Sequence, residues 1–293
     1  MIDAIGGVLQ FAFMRNALAA GLLVSVACGV VGTYVVVNRI VFLSGGIAHT
    51  AYGGIGLGYF VKYNVVPVVL SGSAVARDPR PGYFPLAGAI LFSLLAALAM
   101  GWVERRMGER SDTVIGAMWA IGMSMGILFI DTTAGYKADL MSYLFGSILA
   151  VGATELIVML ILNVVILSLV ALFYKELLAI SFDETFATVE NVPVDAIYMV
   201  LVAMVALTVV MLMRVVGLIL VIAMLTIPAA IAGQFVQEMK RMMGVAIGLG
   251  VVFTTLGLSL SYAYNLTSGA AIILVAGAGY LMSLGSKMAR ALS

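Results

Sequence analysis

Residues 154–173 read TELIVMLILNVVILSLVALF. Leucine, isoleucine, valine and methionine fill this run, and its one charge, Glu155, stands in the first turn. A helix that crosses the hydrocarbon core of a bilayer needs about 20 mostly apolar residues, since no water is there to satisfy its backbone. The stretch meets that requirement and is read as a transmembrane helix. Comparable runs lie on both sides of it: Asn16–Val37, Ile47–Leu70, Pro85–Val103, Thr113–Ile130, Val194–Leu212, Leu218–Phe235, Met242–Tyr262 and Ser268–Leu284. The fold class expected is therefore all-α, a polytopic transmembrane helix bundle of about nine spans. Eight to ten remains the range, because only Met213–Gly217 separates two of the runs. Leu140–Val151 is apolar but too short to cross, and is expected as a re-entrant or surface helix. Ser71–Phe84 is expected as an irregular outer loop. No long polar linker interrupts the chain, so residues 1–293 are read as a single transmembrane domain.

Composition agrees. Hydrophobic residues make up 63% of the chain and charged residues 10%. Soluble domains average about 45–50% and about 25%. The net charge of +1 gives no reason to expect nucleic acid as a partner. Cys28, the single cysteine, has no internal disulfide partner. The first apolar run precedes many others and reads as a retained helix rather than a cleaved signal. Lys and Arg are in modest excess in the loops holding Arg105, Arg106, Arg110, Lys240, Arg241 and Lys287. Those loops and the C-terminus are thus placed in the cytoplasm, with the N-terminus outside. The expected location is the plasma (inner) membrane, multi-pass, with the lipid bilayer as solvent.

Directly after the opening stretch comes YKELLAISFDETFATVENVP, residues 174–193. Ser181 followed by Glu184 has the form of a capping box at a helix start. Phe182, Phe186 and Val189 recur at helical spacing, with Asp183, Glu184 and Glu190 elsewhere. Pro193 suits the first turn of the next span. The segment is read as a short amphipathic helix on the cytoplasmic face. An ordinary loop helix on the headgroups is one account. Surface-lying helices usually carry a basic face, so the acidic face here favours a protein partner.

The only histidine, His49, lies at the start of the second span within LSGGIAHTAYGGIGLGYF. Gly45, Gly53 and Gly56 form a stripe beside it, which lets another helix approach closely. An ionisable residue within a membrane is a functional candidate, and imidazole is a common ligand of transition metals. The competing account is a histidine bonded to a neighbouring carbonyl in a packed bundle. In LILVIAMLTIPAAIAGQF, Pro228 removes a backbone donor and should kink the helix, with Thr226 and small residues around it. Such a helix suits a moving pathway wall and suits close packing equally. The 19 methionines are scattered and read as flexible packing.

Catalytic machinery is absent from the sequence. There is no G-x-x-x-x-G-K-[ST] phosphate loop, and one histidine with one cysteine cannot build a multi-ligand site in one chain. The protein is not expected to be an enzyme or to bind a cofactor. Active transport would draw its energy from another subunit or from an ion gradient.

Together, YKELLAISFDETFATVENVPV, RVVGLILVIAMLTIPAAIA, NLTSGAAIILVAGAGYLMS and the SGGIAH…YGGIGLGY segment resemble the membrane subunit of ABC-type zinc/manganese/iron uptake systems. The likeness runs from about Met14 to Ser283. It implies a permease subunit of an ATP-driven importer of divalent transition-metal ions, working by alternating access. Its implied partners are a second copy of itself, two cytoplasmic ABC ATPase subunits that use the ATP, and an extracytoplasmic metal-binding protein. Phe182, Asp183, Glu184 and Phe186 would then couple to the ATPase. Thr226 and Pro228 would serve gating, and His49 would be the candidate metal contact. Family members commonly carry an aspartate four residues before this histidine, where this chain has Gly45. Two alternatives follow: an importer of the same build for another solute, such as a metal chelate, or a self-sufficient secondary transporter. The scarcity of ionisable groups at mid-span argues against the second.

Overall fold

The computed structural model describes residues 11–69, 73, 82–107, 111–133, 146 and 148–292. These are helical almost throughout: α1 (Ala12–Val37), α2 (Val41–Phe60), α3 (Phe84–Met107), α4 (Ser111–Asp131), α5 (Ala153–Leu172), α6 (Tyr174–Phe182), α7 (Glu184–Val189), α8 (Val194–Val216), α9 (Leu218–Phe235), α10 (Met239–Tyr264) and α11 (Ser268–Leu292). α2 runs on through a π-helical turn, Val61–Val65, into a last α turn, Val66–Val69. Among the described residues, 7 helices are long and apolar enough to cross a bilayer, namely α1, α3, α4, α5, α8, α10 and α11. α9 is a shorter apolar helix, and the glycine-rich α2 occupies the remaining expected span. Most of the segment expected as a re-entrant helix lies outside the described residues, as does most of the loop expected at Ser71–Phe84. Ile148–Ala150 form one 3₁₀ turn.

The breaks between helices are short and specific. α8 passes into α9 through Gly217 alone, at φ 77° and ψ 168°. That backbone region is essentially open only to glycine. α10 ends on Asn265 in the left-handed conformation, φ 52° and ψ 44°, which asparagine tolerates better than most residues. α5 and α6 are parted only by Phe173, φ −105° and ψ 21°.

Contacts group the chain into two compact units. The first is Met1–Val41, Met141–Val194 and Met211–Ser293; the second is Phe42–Leu140 and Asp195–Val210. In the first unit α1 is central and α5 peripheral: 72% of the apolar window of α1 is buried, against 22% for α5. The buried face of α1 is small or β-branched, with Ala17, Ala20, Ala27, Val31 and Val35 fully covered. Small residues matter here because lipid tails are as apolar as leucine, so helices associate by close packing. A methyl group at Gly29 would overlap the backbone of Ile247 on α10, and one at Gly32 would overlap the Leu225 carbonyl on α9. Buried hydroxyls fold back on their own helices. Ser25 donates to Gly21 O (2.7 Å), Thr33 to Gly29 O (2.6 Å) and Thr254 to Gly250 O (2.8 Å). On α5, Ile157, Leu160, Ile161 and Val164 are exposed, as a lipid-facing side requires.

In the second unit α2 packs by two glycine faces. Gly54 meets Gly88, and Gly58 meets Phe84, on α3; Gly53 meets Gly122, and Gly56 meets Gly126, on α4. At each of these points a β-carbon would strike backbone. Beyond the π turn, Asn64 Nδ2 donates to Thr132 O at 2.9 Å. At the other end of the unit, Arg105 Nε pairs with Asp195 Oδ1 at 2.7 Å, and the Tyr198 hydroxyl donates to Glu104 Oε2 at 2.5 Å.

Candidate functional site

The 174–193 segment forms two short helices at an elbow rather than one capped helix. Ser181 lies inside α6, so the expected capping box is not made. Its hydroxyl instead donates to Leu177 O at 2.7 Å. The cap is Asp183, in extended backbone at φ −155°. Its Oδ1 accepts from Thr185 N (2.9 Å) and Phe186 N (3.0 Å). This corrects the sequence reading for a simple reason. An N-cap must leave helical geometry, and Ser181 could not do so while α6 runs on to Phe182. Pro193 likewise sits one place earlier than expected, as the N-cap residue of α8.

The elbow presents apolar surface to its surroundings. Phe182, Phe186 and Val189 are 67%, 58% and 73% exposed. Asp183, Glu184 and Glu190 are exposed beside them. Ala187 is buried and faces inward. An apolar trio edged by carboxylates has the make-up of a protein-docking surface more than of a headgroup-lying one. Behind the elbow a cleft of about 530 Å³ is lined by Phe182, by Val36 and Val37 of α1, by Gly233 and Gln234 of α9, and by Met242 of α10. The neighbouring ends are tied by Ser283, whose hydroxyl donates to Gln234 Oε1 at 2.6 Å.

His49 lies on α2 and is half-buried. Its Nδ1 stands 3.0 Å from the Gly45 carbonyl oxygen. A carbonyl only accepts, so this contact assigns the proton to Nδ1 and leaves the Nε2 lone pair as the donor to a cation. The imidazole packs against the Trp119 indole of α4, ring centroids 4.2 Å apart, and Phe42 closes on the same indole at 5.6 Å. Gly45 thus serves His49 by its backbone, one turn away. Among the described residues no group of three or more His, Cys, Asp or Glu is placed to hold a metal. Thr226 donates to Ile222 O at 2.7 Å, and Pro228 lies within α9, which continues through it.

Sequence reading passed over two residues. Trp119 holds the histidine ring, but nothing in its local sequence points to position 49. Asn38 ends α1, and its side chain reaches the elbow: Nδ2 lies 2.9 Å from Ser181 Oγ. An asparagine at the end of an apolar run was the available signal, since asparagine favours helix ends.

Residues 10–287 match the profile of the ABC 3 transport family. The chain belongs to that family. This ABC permease is 57% identical over 284 residues to an uncharacterized membrane protein of Synechocystis, covering 97% of this chain and 94% of the relative. It is 32% identical over 270 residues to the manganese transport system membrane protein of Listeria monocytogenes, covering 92% and 89%. Its fold is similar to that of PsaBC from Streptococcus pneumoniae, solved in complex with a Fab, with TM-score 0.80, 31% identity and coverage of 97% and 95%. It is a multi-pass membrane protein. As an ABC permease it carries no ATPase activity and needs no cofactor of its own. Membership displaces the self-sufficient secondary transporter as a reading.

Proposed function

We propose that this permease lines the pathway of an ATP-driven importer for a divalent transition metal, with manganese ahead of zinc and iron. The observation that carries the reading is likeness over nearly the whole chain to a manganese transport system membrane protein. The elbow supports it from the geometry. Its exposed Phe182, Phe186 and Val189, edged by acidic residues, fit a cleft on a cytoplasmic ATPase. ATP-driven closure of the ATPases would displace the elbow and bias the bundle between two states. A second copy of the chain completes the pathway, and an extracytoplasmic binding protein delivers the ion.

His49 is the proposed substrate contact, through Nε2. Imidazole nitrogen suits manganese less than it suits zinc, so a lone histidine makes a transfer point rather than a tight site. Two copies would offer two imidazoles. Thr226 and Pro228 are proposed to let α9 flex during gating, because the Met224 carbonyl loses its usual helical donor at Pro228. Gly45 favours a second reading, a permease of the same build for a metal chelate, since glycine supplies no side-chain ligand where the resembled family has aspartate.

The test is uptake of Mn, Zn and Fe in a strain lacking the chain, complemented with wild type or with His49→Ala. Manganese uptake restored by wild type and reduced by His49→Ala is the expected result. Full uptake with His49→Ala removes the histidine from the pathway. Free-ion uptake indifferent to the chain, with chelate uptake dependent on it, selects the second reading.

A further inference from the structure

The chain joins the elbow back to α5 through Phe173 and on to α8 through Pro193. The Lys240 ammonium of α10 lies 5.0 Å from the ring of Tyr174 at the start of the elbow. A hydrogen-bonded tether to α1 spans 143 positions of sequence. Asn38 is the C-cap residue of α1. One hydrogen of its side-chain amide goes to Tyr34 O at 2.9 Å, and the other to Ser181 Oγ at 2.9 Å. The Ser181 hydroxyl in turn donates a hydrogen bond to Leu177 O at 2.7 Å. The order of donors is fixed. The opposite amide orientation would set Oδ1 against the Tyr34 carbonyl, two acceptors face to face. Each bond in such a chain polarises the next.

What the tether holds is the central helix of the unit. α1 meets α9 and α10 where no β-carbon fits, at Gly32 against Leu225 and at Gly29 against Ile247. Close-packed backbones transmit displacement with little slack. Through the tether, a shift of Ser181 would be carried to α1, and from it to the helices seated on its glycines, including the one that carries Pro228. The cleft behind the elbow leaves space for that shift.

We propose that Asn38 and Ser181 form the transmission link of this permease, a positioning pair that carries displacement of the elbow into α1 and its packed neighbours. The inference rests on the elbow being the ATPase contact. It predicts that cutting the tether uncouples hydrolysis from transport while leaving the ATPase bound.

The experiment uses the full transporter, permease with its ATPase and binding protein, in proteoliposomes. Ions moved per ATP hydrolysed and ATPase co-purification are both measured. Asn38→Ala and Ser181→Ala should each lower the ratio on the order of two- to tenfold, the range for one hydrogen bond. ATPase association should stay at wild-type level. Ser181→Thr, which keeps the hydroxyl, should retain coupling. The double variant should be no worse than either single one, because both remove the same contact. Wild-type ratios in both single variants, or additive losses in the double, overturn the proposal. If Asn38→Ala fails to assemble, Ser181→Ala against Ser181→Thr decides alone. Charge reversal at Asp183 and Glu184 separates the two levels. If it releases the ATPase while the tether variants stay coupled, the tether falls and the elbow reading stands. If it leaves the ATPase bound and coupled, both fall.

Discussion

Gly32 of α1 lies against the carbonyl oxygen of Leu225 on α9 with no room for a β-carbon between them. The obstacle is backbone, which cannot rotate away as a side chain can. Gly32→Ala must therefore push α9 off α1, at a cost of about 1–3 kcal/mol or more. The expected outcome is a lower unfolding temperature in detergent and reduced uptake. Gly244→Ala is the control, because open space surrounds that glycine and alanine is the better helix former. Equal stability of Gly32→Ala and wild type would show that the two helices separate freely.

Gly217 carries the whole turn between α8 and α9 at φ 77° and ψ 168°. Any side chain there is strained, at about 1–3 kcal/mol. Gly217→Ala should reduce the yield of folded protein and its melting temperature. A variant as stable as wild type would mean that the backbone adopts another conformation at this joint.

Tyr34 is fully buried, and its hydroxyl has no hydrogen-bond partner among the described residues. Burying an unpaired hydroxyl costs roughly 1–3 kcal/mol. Tyr34→Phe removes the orphan group and keeps the ring, so it should raise the melting temperature. A fall would reveal a bound water or other partner for that oxygen.

Asp183 does two separable things: it caps α7 through Oδ1 and it carries charge at an exposed elbow. Asp183→Asn keeps the cap and loses the charge, whereas Asp183→Ala loses both. The cap is worth about 1 kcal/mol. If the ATPase reads charge, both variants weaken association equally. If it reads the shape of α7, only Asp183→Ala does. Titrating permease against purified ATPase distinguishes these outcomes.

The spans were legible because the bilayer imposes a length and a composition on every crossing helix, and α5 shows both in its sequence. The elbow is legible as an amphipathic acidic segment, but the sequence pattern points to Ser181 as its cap, where the structure has Asp183. The S-x-x-E pattern names a cap only if the helix begins there, and here α6 had already started at Tyr174. The histidine stood out by being alone. Its ring contact with Trp119 and the reach of Asn38 to Ser181 did not, because each joins residues far apart in sequence through packing that no local pattern records. The glycines of α2 fell between these cases. A close approach was readable at Gly53 and Gly56, yet which helices arrive, and that Gly54 and Gly58 serve a second neighbour, depends on tertiary structure. Gly45 continues that stripe in sequence, and what it offers His49 is a carbonyl.

The joint at Gly217 also limits how this protein can vary. Most surface loops tolerate added residues because slack absorbs them. A connection one residue long has none, so each insertion between α8 and α9 must rotate and shift an entire helix. Scanning insertions along the chain should find this point closed, and lineages that diverge in loop length elsewhere should keep the spacing here unchanged.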